Sequence, residues 1–372
     1  MRGVHVVMPD LNASSPRGRS RAVGDAVRAI AVGALATAIA GCAPGQAGPS
    51  GTPEAQAPPS VTSLSVASGP LTTPTPAFCE EGKPAPATDD ETPKPAVAAT
   101  LELFDDTPIV AVGEYHGWRA EHDFLGQLVC DPQFPAVVDT IVIEFGNRRL
   151  QSVLDRYVRG DVVSSAELAS IWRESTQRSG VFEDPVYERF LSLVRTVNQR
   201  LPPADRIEVL AGDPPIGYAT VQRFTGCSTE DPQCYDYWIQ GREGSYAEVV
   251  IEDVLARGRT ALLLAGAGHM VRRPGGDERP PSIPERIEAA SPGVTSVILP
   301  HRSFAWADAA SEERIRGWPI ASLALLDGSW VGDLDACLLE GERDGASEST
   351  CPDGIGTTLS DIADAYLYVG PS

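Results

Sequence analysis

Short apolar segments that alternate with helical stretches constrain the fold of this chain more than any other feature. Such segments are typical of buried strands in a parallel sheet. They occur at 109–112, 140–143, 207–211, 261–265, 294–299 and 365–369. Helical periodicity occurs between them, at 120–129, 148–159, 165–174, 186–199 and 246–257. This order predicts a single α/β domain over residues 98–372, with a mainly parallel central sheet flanked by helices.

The N-terminal region has the pattern of an export signal. Five arginines in a basic region precede a charge-free apolar run at 29–41, which is too short to span a bilayer as a helix. The residues that end the run, Ile-Ala-Gly-Cys, resemble a bacterial lipobox. We therefore predict a lipoprotein signal peptide over 1–41, lipidation of Cys42 and attachment to the extracytoplasmic face of the cell membrane. An uncleaved anchor or a cytosolic helix is the alternative.

Residues 42–97 are rich in Pro, Ala, Ser, Thr and Gly and poor in large apolar side chains. Such a composition buries too little apolar surface to offset the entropy that is lost on ordering. We predict a disordered linker, stiffened by proline, that holds the domain clear of the membrane.

The seven cysteines divide into the lipidation candidate and six others. Those six are Cys79, Cys130, Cys227, Cys234, Cys337 and Cys351. An even number in an exported chain suits three disulfides. Local spacing favours the pairs Cys227–Cys234 and Cys337–Cys351, which leaves Cys79 to pair with Cys130. The competing interpretation, a zinc site, has no CxxC pair to support it.

The net charge of −21 argues against one broad class of function. A nucleic-acid-binding protein needs a basic face that displaces counterions from phosphates, so we expect no nucleic-acid partner. Charged residues make up 22% of the chain, which excludes a polytopic membrane protein.

Chemically reactive side chains lie at the ends of four predicted strands. Glu114 and His116 follow the first, Glu144 ends the second, Asp213 follows the third, and His269 follows the fourth. Because the carboxyl ends of neighbouring parallel strands meet at one edge, where ligands of open α/β folds bind, we expect one shared site. The alternative for each acid is a helix cap or a turn, and for each histidine a hydrogen-bonded core residue.

Several familiar motifs are absent from the sequence. It has no GxSxG segment of a serine hydrolase, no GxxxxGKS/T segment for phosphates, no GxGxxG after the first strand and no HExxH. Any chemistry must therefore come from the acids and histidines at the strand ends.

The strand-end segments resemble a known family. The segment VGEYH at 112–116, with His122 in the next helix, resembles the opening motif of ChaN-like proteins of the haem-binding-uptake/Tiki superfamily. The segments at 143–145, 265–272 and 364–368 are similar to that family's second strand, glycine–histidine strand end and closing strand. The GExH pattern is also similar to the erythromycin-esterase family.

This resemblance implies a lipid-anchored envelope protein that binds haem or handles iron. We expect haem or another small molecule as its ligand, with haem as the cofactor. The sequence departs from the family at Glu121, which replaces the first of two paired histidines. The stretches 213–245 and 336–360 also look like insertions or diverged regions.

The residues themselves favour hydrolysis over haem binding, because haem pockets need large apolar walls around one or two axial ligands. In this interpretation His116 is the general base, and Glu114 or Glu144 orients its imidazole. His269 stabilises negative charge or acts as a second acid or base.

Further residues are candidates for binding. We expect Arg119, His122 and Arg148 to contact a ligand, with the two arginines suited to an anionic group. A divalent metal would suit a set of nitrogen and oxygen ligands at the strand ends. That set comprises Glu114, His116, Glu144 and His269. An inactive interaction protein is the third hypothesis, beside the haem- or metal-binding protein and the hydrolase of esterase or peptidase type.

Overall fold

The computed structural model describes residues 93–177, 180–215, 217, 241–273, 280–301, 309–336 and 357–371. All of them belong to one compact unit of the chain, Leu71–Ser372. The predicted signal peptide and nearly all of the predicted linker lie outside these residues, so the lipid anchor stays a prediction.

The disulfide prediction falls largely outside the described ranges. Cys130 is the only cysteine inside them, so no disulfide joins two described residues and the pairing stays a prediction. The cysteines outside them are Cys42, Cys79, Cys227, Cys234, Cys337 and Cys351. Within the same ranges, no helix has the length and apolar character needed to cross a bilayer.

The described strands form one eight-stranded sheet with the order β1-β7-β8-β6-β2-β5-β3-β4. The strands are β1 (Lys94–Pro95), β2 (Ile109–Glu114), β3 (Thr140–Asn147), β4 (Glu208–Asp213), β5 (Ala261–Gly266), β6 (Thr295–Pro300), β7 (Ser322–Leu325) and β8 (Ala365–Tyr368). All pairings from β8 through β4 are parallel, whereas β7 pairs antiparallel with both β8 and β1. The predicted mainly parallel α/β sheet is confirmed, and all six predicted strands are present.

Helices connect the strands. They are α1 (Ala96–Glu102), α2 (Arg119–Cys130), α3 (Phe134–Val137), α4 (Gln151–Arg159), α5 (Ser165–Arg173), α6 (Pro185–Asn198), α7 (Arg242–Val249), α8 (Ala267–Met270), α9 (Ile283–Ala290), α10 (Ala309–Arg316) and α11 (Leu359–Ile362). A π-helical turn, Val250–Val254, continues α7. The five predicted helical stretches coincide with α2, α4, α5, α6 and the α7 region.

The sheet is buried on both faces. Successive strand residues point to opposite sides, so the apolar residues of one strand enter two separate cores. Val110 and Val112 pack with apolar residues of α1, α2, α4, α5 and α6. Ile109 and Ala111 pack with apolar residues of α7, α9, α10 and α11. Continuous apolar strands are the sequence pattern that this two-sided burial requires.

The folded domain begins earlier than the predicted boundary after residue 97. Lys94 and Pro95 pair with the outer strand β7, and Ala96 is only 1% exposed. The Pro- and Ala-rich composition gave no strand signal here, because these residues contribute backbone pairing and small-residue packing rather than an apolar run. Their physical role is to cover the edge of β7.

Candidate functional site

Acidic side chains meet where the parallel strands end. The strands β2, β5, β3 and β4 are neighbours in that order, so their carboxyl ends lie side by side. Glu114 ends β2 opposite Gly266 of β5, Glu144 lies in β3, and Asp213 ends β4. All three acids are buried, with at most 3% of each residue exposed. Buried carboxyl groups need compensating partners, and the partners define the site.

His116 follows β2 and lies against Glu114. Its Nδ1 is 3.5 Å from Oε1 of Glu114, and its ring meets the Phe182 ring edge to face at 5.1 Å. Burial lowers the pKa of His116, but the hydrogen bond with Glu114 and the negative charges of Glu144 and Glu114 outweigh burial and raise it. The side chain keeps 30% of its surface exposed, so a ligand can reach it.

Glu114 has two more partners behind His116. Nε2 of His122 lies 3.2 Å from Oε1 of Glu114, and the Tyr187 hydroxyl donates to the same oxygen at 2.5 Å. Burial alone would raise the pKa of Glu114, but the hydrogen bonds with His116 and His122 hold it below its ordinary value. His122 is 3% exposed, so it lies behind the carboxylate rather than facing a ligand as we expected.

Glu121, which stands where the resembling family carries a histidine, closes the turn that holds His116. Its Oε2 accepts the backbone N–H of Tyr115 at 3.0 Å. Burial and the charge of Glu114 raise the pKa of Glu121 well above its ordinary value. This buried carboxyl supports the turn through its contact with the Tyr115 backbone.

Glu144 is the centre of the second half of the site. Its Oε1 accepts from Nη2 of Arg242 at 2.5 Å and from Nε2 of Gln177 at 2.9 Å, while its Oε2 accepts from the backbone N–H of Gly266. Burial would raise the pKa of Glu144, but the charge of Arg242, and those of His269 and His116 when they are protonated, outweigh burial and lower it. Glu144 is therefore an ionised carboxylate beside both histidines.

His269 is held on both ring nitrogens. Its Nδ1 is 3.0 Å from Oε1 of Glu243, and its Nε2 is 2.8 Å from Nη2 of Arg242. A guanidinium only donates hydrogen bonds, so Nε2 of His269 accepts and Nδ1 carries the proton that faces Glu243. The carboxylate beside Nδ1 of His116 favours the same tautomer there, which leaves Nε2 of His116 with a lone pair.

Gly266 lies between the two halves, and its lack of a side chain lets them approach each other closely. A Cβ at this position would lie 3.1 Å from Nε2 of His116 and 3.4 Å from Oε2 of Glu144. Nε2 of His269 lies 3.7 Å from Oε1 of the same carboxylate. The structure therefore brings His116, His269 and Glu144 together around one point.

Asp213 lies in a different environment from the histidines. It accepts from the Thr176 backbone N–H at 2.7 Å, from the Thr176 hydroxyl, and from the Tyr246 hydroxyl at 3.2 Å. Burial raises the pKa of Asp213 to about 7, although the Thr176 hydrogen bonds and the Arg242 charge oppose the increase. These contacts place Asp213 on the Arg242 side of the site, apart from the histidines with which we expected it to share one site.

The two arginines expected to bind an anionic ligand lie outside this cluster. Arg148 pairs with Glu248 at 3.2 Å and with Asp253 at 3.3 Å. Arg119 is exposed at the first position of α2. The cation that the fold brings into the site is Arg242, which is 4% exposed.

The predicted metal site is not assembled in the part of the chain that the structure describes. No group of three or more His, Cys, Asp and Glu side chains there is arranged to hold a metal ion. Arg242 gives the physical reason, since its guanidinium contacts both Glu144 and His269 and repels a second cation.

Sequence reasoning missed Arg242, Glu243, Gln177 and Tyr187. None of them lies at a strand end. The helical pattern predicted at 246–257 in fact begins at Arg242, so the charged pair at 242–243 forms the first turn of α7. Two adjacent opposite charges ahead of an apolar helix were the only signal, and their partners lie 26 or more positions away in sequence.

The sequence matches no family model and no curated protein. Among solved structures, the chain is similar to the haem-binding ChaN of Campylobacter jejuni, with 16% identity, a TM-score of 0.39, and coverage of 57% of this chain and 87% of that one. It is similar to a protein from Bacillus cereus, with 10% identity, a TM-score of 0.44, and coverage of 76% and 94%.

An erythromycin esterase mutant in its open conformation is a third similar structure, with 11% identity, a TM-score of 0.41, and coverage of 73% of this chain and 92% of that one. At these identities and TM-scores, the function of this chain has to be argued from its own side chains.

Proposed function

We propose that this protein is a hydrolase that cleaves a carboxylic ester or amide, with His116 as the general base. One observation carries the proposal: Nδ1 of His116 faces the buried carboxylate of Glu114, while Nε2 lies beside Gly266 and the side chain keeps 30% of its surface exposed. A base must have a free lone pair, a partner that stabilises its protonated form and access to substrate. His116 meets all three conditions.

In the proposed reaction, a water molecule gives a proton to Nε2 of His116 while its oxygen bonds to the carbonyl carbon. Arg242 supplies a fixed positive charge, oriented by Glu144 and His269, that favours the negative charge developing on the carbonyl oxygen. When the intermediate collapses, the bond to the leaving group breaks. The leaving group takes the proton from the His116 imidazolium, which restores the neutral base.

Turnover of p-nitrophenyl acetate, p-nitrophenyl butyrate and alanine p-nitroanilide by the purified protein tests this function. We expect His116→Ala to lower kcat/KM about 100- to 10,000-fold, the usual contribution of a general base. His301→Gln is the matched control, because His301 also follows a strand but bonds to the Tyr366 hydroxyl at 2.9 Å. Turnover that survives in His116→Ala would show that the base is wrong, and no turnover of any probe would count against the hydrolase.

Haem binding is the second candidate, and one observation favours it. A planar ligand could approach the exposed His116 ring, whose Nε2 has a lone pair and whose neighbour is the apolar ring of Phe182. Haem titration of the purified protein should then shift the Soret band, and His116→Ala should abolish the shift. An unchanged Soret band at micromolar haem would remove this candidate.

We also propose that the domain is attached to the extracytoplasmic face of the membrane through Cys42. The support is the sequence alone: a basic region, a short apolar run and a lipobox-like ending ahead of a proline-rich linker. Metabolic labelling with palmitate should mark the wild type in the membrane fraction. Cys42→Ala should lose the label, and a label that persists would contradict the anchor.

A further inference from the structure

The Tyr187 hydroxyl contacts the chain on both sides of His116. It donates to Oε1 of Glu114 at 2.5 Å and accepts the backbone N–H of Gly117 at 3.1 Å. Glu114 precedes His116 by two residues, and Gly117 follows it directly. One hydroxyl from α6 therefore fixes both ends of the turn that carries the proposed base.

The same hydroxyl shares its acceptor with the imidazole. Tyr187, His122 and His116 all approach Oε1 of Glu114, at 2.5, 3.2 and 3.5 Å respectively. A carboxylate oxygen has only about two lone-pair sites, so the donors compete for it. Tyr187 holds the shortest bond and His116 the longest, which weakens the support that Glu114 gives to the protonated imidazole.

The Tyr187 ring is fixed independently of its hydroxyl. It packs at 5.0 Å from the ring of His122, at 4.8 Å from that of Phe145 and at 5.2 Å from that of Phe182. A phenylalanine at this position would keep these ring contacts. Loss of the hydroxyl can therefore be separated from loss of packing.

We propose that Tyr187 is a positioning residue for His116, whose hydroxyl fixes the turn that carries the imidazole and limits how strongly Glu114 supports it. This inference deepens the proposed hydrolytic function and rests on it for the role of His116 in turnover. The effect on the imidazole itself requires no substrate.

Tyr187→Phe should raise the titration midpoint of His116. With the competing donor removed, Oε1 of Glu114 becomes a better acceptor for Nδ1, and the imidazolium form is favoured. The other charged groups that act on His116 are Glu144 on β3 and Arg242 on α7, and the substitution leaves both in place. We expect an upward shift of about half to one pH unit, with the acidic limb of kcat/KM moving in the same direction.

The measurement is an NMR titration of the histidine Cε1–H signals in the full chain, which has five histidines, with His116→Gln used to assign the signal. Tyr157→Phe is the control, because Tyr157 lies on α4 near Arg195. A His116 midpoint unchanged in Tyr187→Phe would overturn the proposal.

A second variant covers the case in which Tyr187→Phe fails to fold. Difluorotyrosine incorporated at position 187 keeps the ring in place and makes the hydroxyl a stronger donor, so the His116 midpoint should fall instead of rise. No change in that direction would overturn the proposal as well. A shifted midpoint in a protein without hydrolytic turnover would leave Tyr187 as a positioning residue and reject the hydrolase alone.

Discussion

The two histidines of the site have the same kind of partner at Nδ1 but different surroundings at Nε2. Nδ1 of His116 faces Glu114 and Nδ1 of His269 faces Glu243. Nε2 of His116 lies beside Gly266, which has no side chain, whereas Nε2 of His269 bonds to Arg242 at 2.8 Å. Both histidines thus direct Nδ1 at a carboxylate. In His116 this leaves the Nε2 lone pair available, and in His269 the Nε2 lone pair accepts from the Arg242 guanidinium.

The two halves of the site also differ in how far apart their residues lie in the sequence. Glu114 and His116 belong to the same strand end, so neighbouring positions in sequence already place them together. His269 follows β5, while Glu243 and Arg242 come from α7, so this half forms only when helix and strand pack. The first half is therefore visible in a sequence motif, and the second is a product of tertiary structure.

The largest expected effect is on the stability of the half of the site that contains Glu144, Arg242 and His269. Glu144→Gln removes the carboxylate from a buried ion pair and leaves the guanidinium charge without it, which should destabilise the protein by about 3–5 kcal/mol. Urea unfolding measures the change. The matched control is Arg148→Gln, whose partly exposed pairs should be worth about 0–1 kcal/mol. Equal losses in the two variants would contradict the central place of Glu144.

The next largest effect concerns Asp213, whose pKa is raised whereas those of Glu114 and Glu144 are lowered. Its folded pKa of about 7 lies above its ordinary value of 3.8, so the folded state binds more protons between these values and stability falls as pH rises across that window. The free energy of unfolding of Asp213→Asn should therefore increase relative to that of the wild type between pH 4 and pH 8, by up to about 4 kcal/mol. A stability difference that stays flat over this range, in urea unfolding at each pH, would refute the raised pKa.

A paired substitution tests whether the two carboxylates support different functions. Glu114→Gln removes the charge that favours protonated His116, so the acidic limb of kcat/KM should move to lower pH and kcat/KM should fall about 10- to 100-fold. Glu243→Gln keeps an acceptor for Nδ1 of His269 and should cost less than about tenfold. The reverse order of effects in pH–rate profiles would assign the base to His269.

The smallest expected effect concerns Gly266, which lies between the two halves of the site. Gly266→Ala adds a methyl group 3.1 Å from Nε2 of His116, which should displace the imidazole slightly and lower kcat/KM about tenfold. Gly268→Ala is the control, because no atom outside its own helical turn lies within 4 Å of the added Cβ. Similar rates for both variants would argue that the reacting groups lie elsewhere.

Several of these features could be predicted from the sequence. Continuous apolar runs specify strands buried on both faces, so six strands and the parallel arrangement followed from the pattern. Strand β7 was missed because its four residues, SLAL, give too short a pattern, and β1 was missed because it has only two residues. The predicted acids and histidines at the strand ends were found at one edge of the sheet, but the expected arginines were not.

The sequence by itself determined which residues lie at the ends of the strands, because strand periodicity and the order of parallel strands depend on local pattern and chain connectivity. The tertiary structure decided the partners of those residues. Arg242 reaches Glu144 from 98 positions away, and Tyr187 reaches Glu114 from 73 positions away. Burial makes such contacts obligatory, since a buried charge needs a partner, but it does not specify where in the sequence that partner lies.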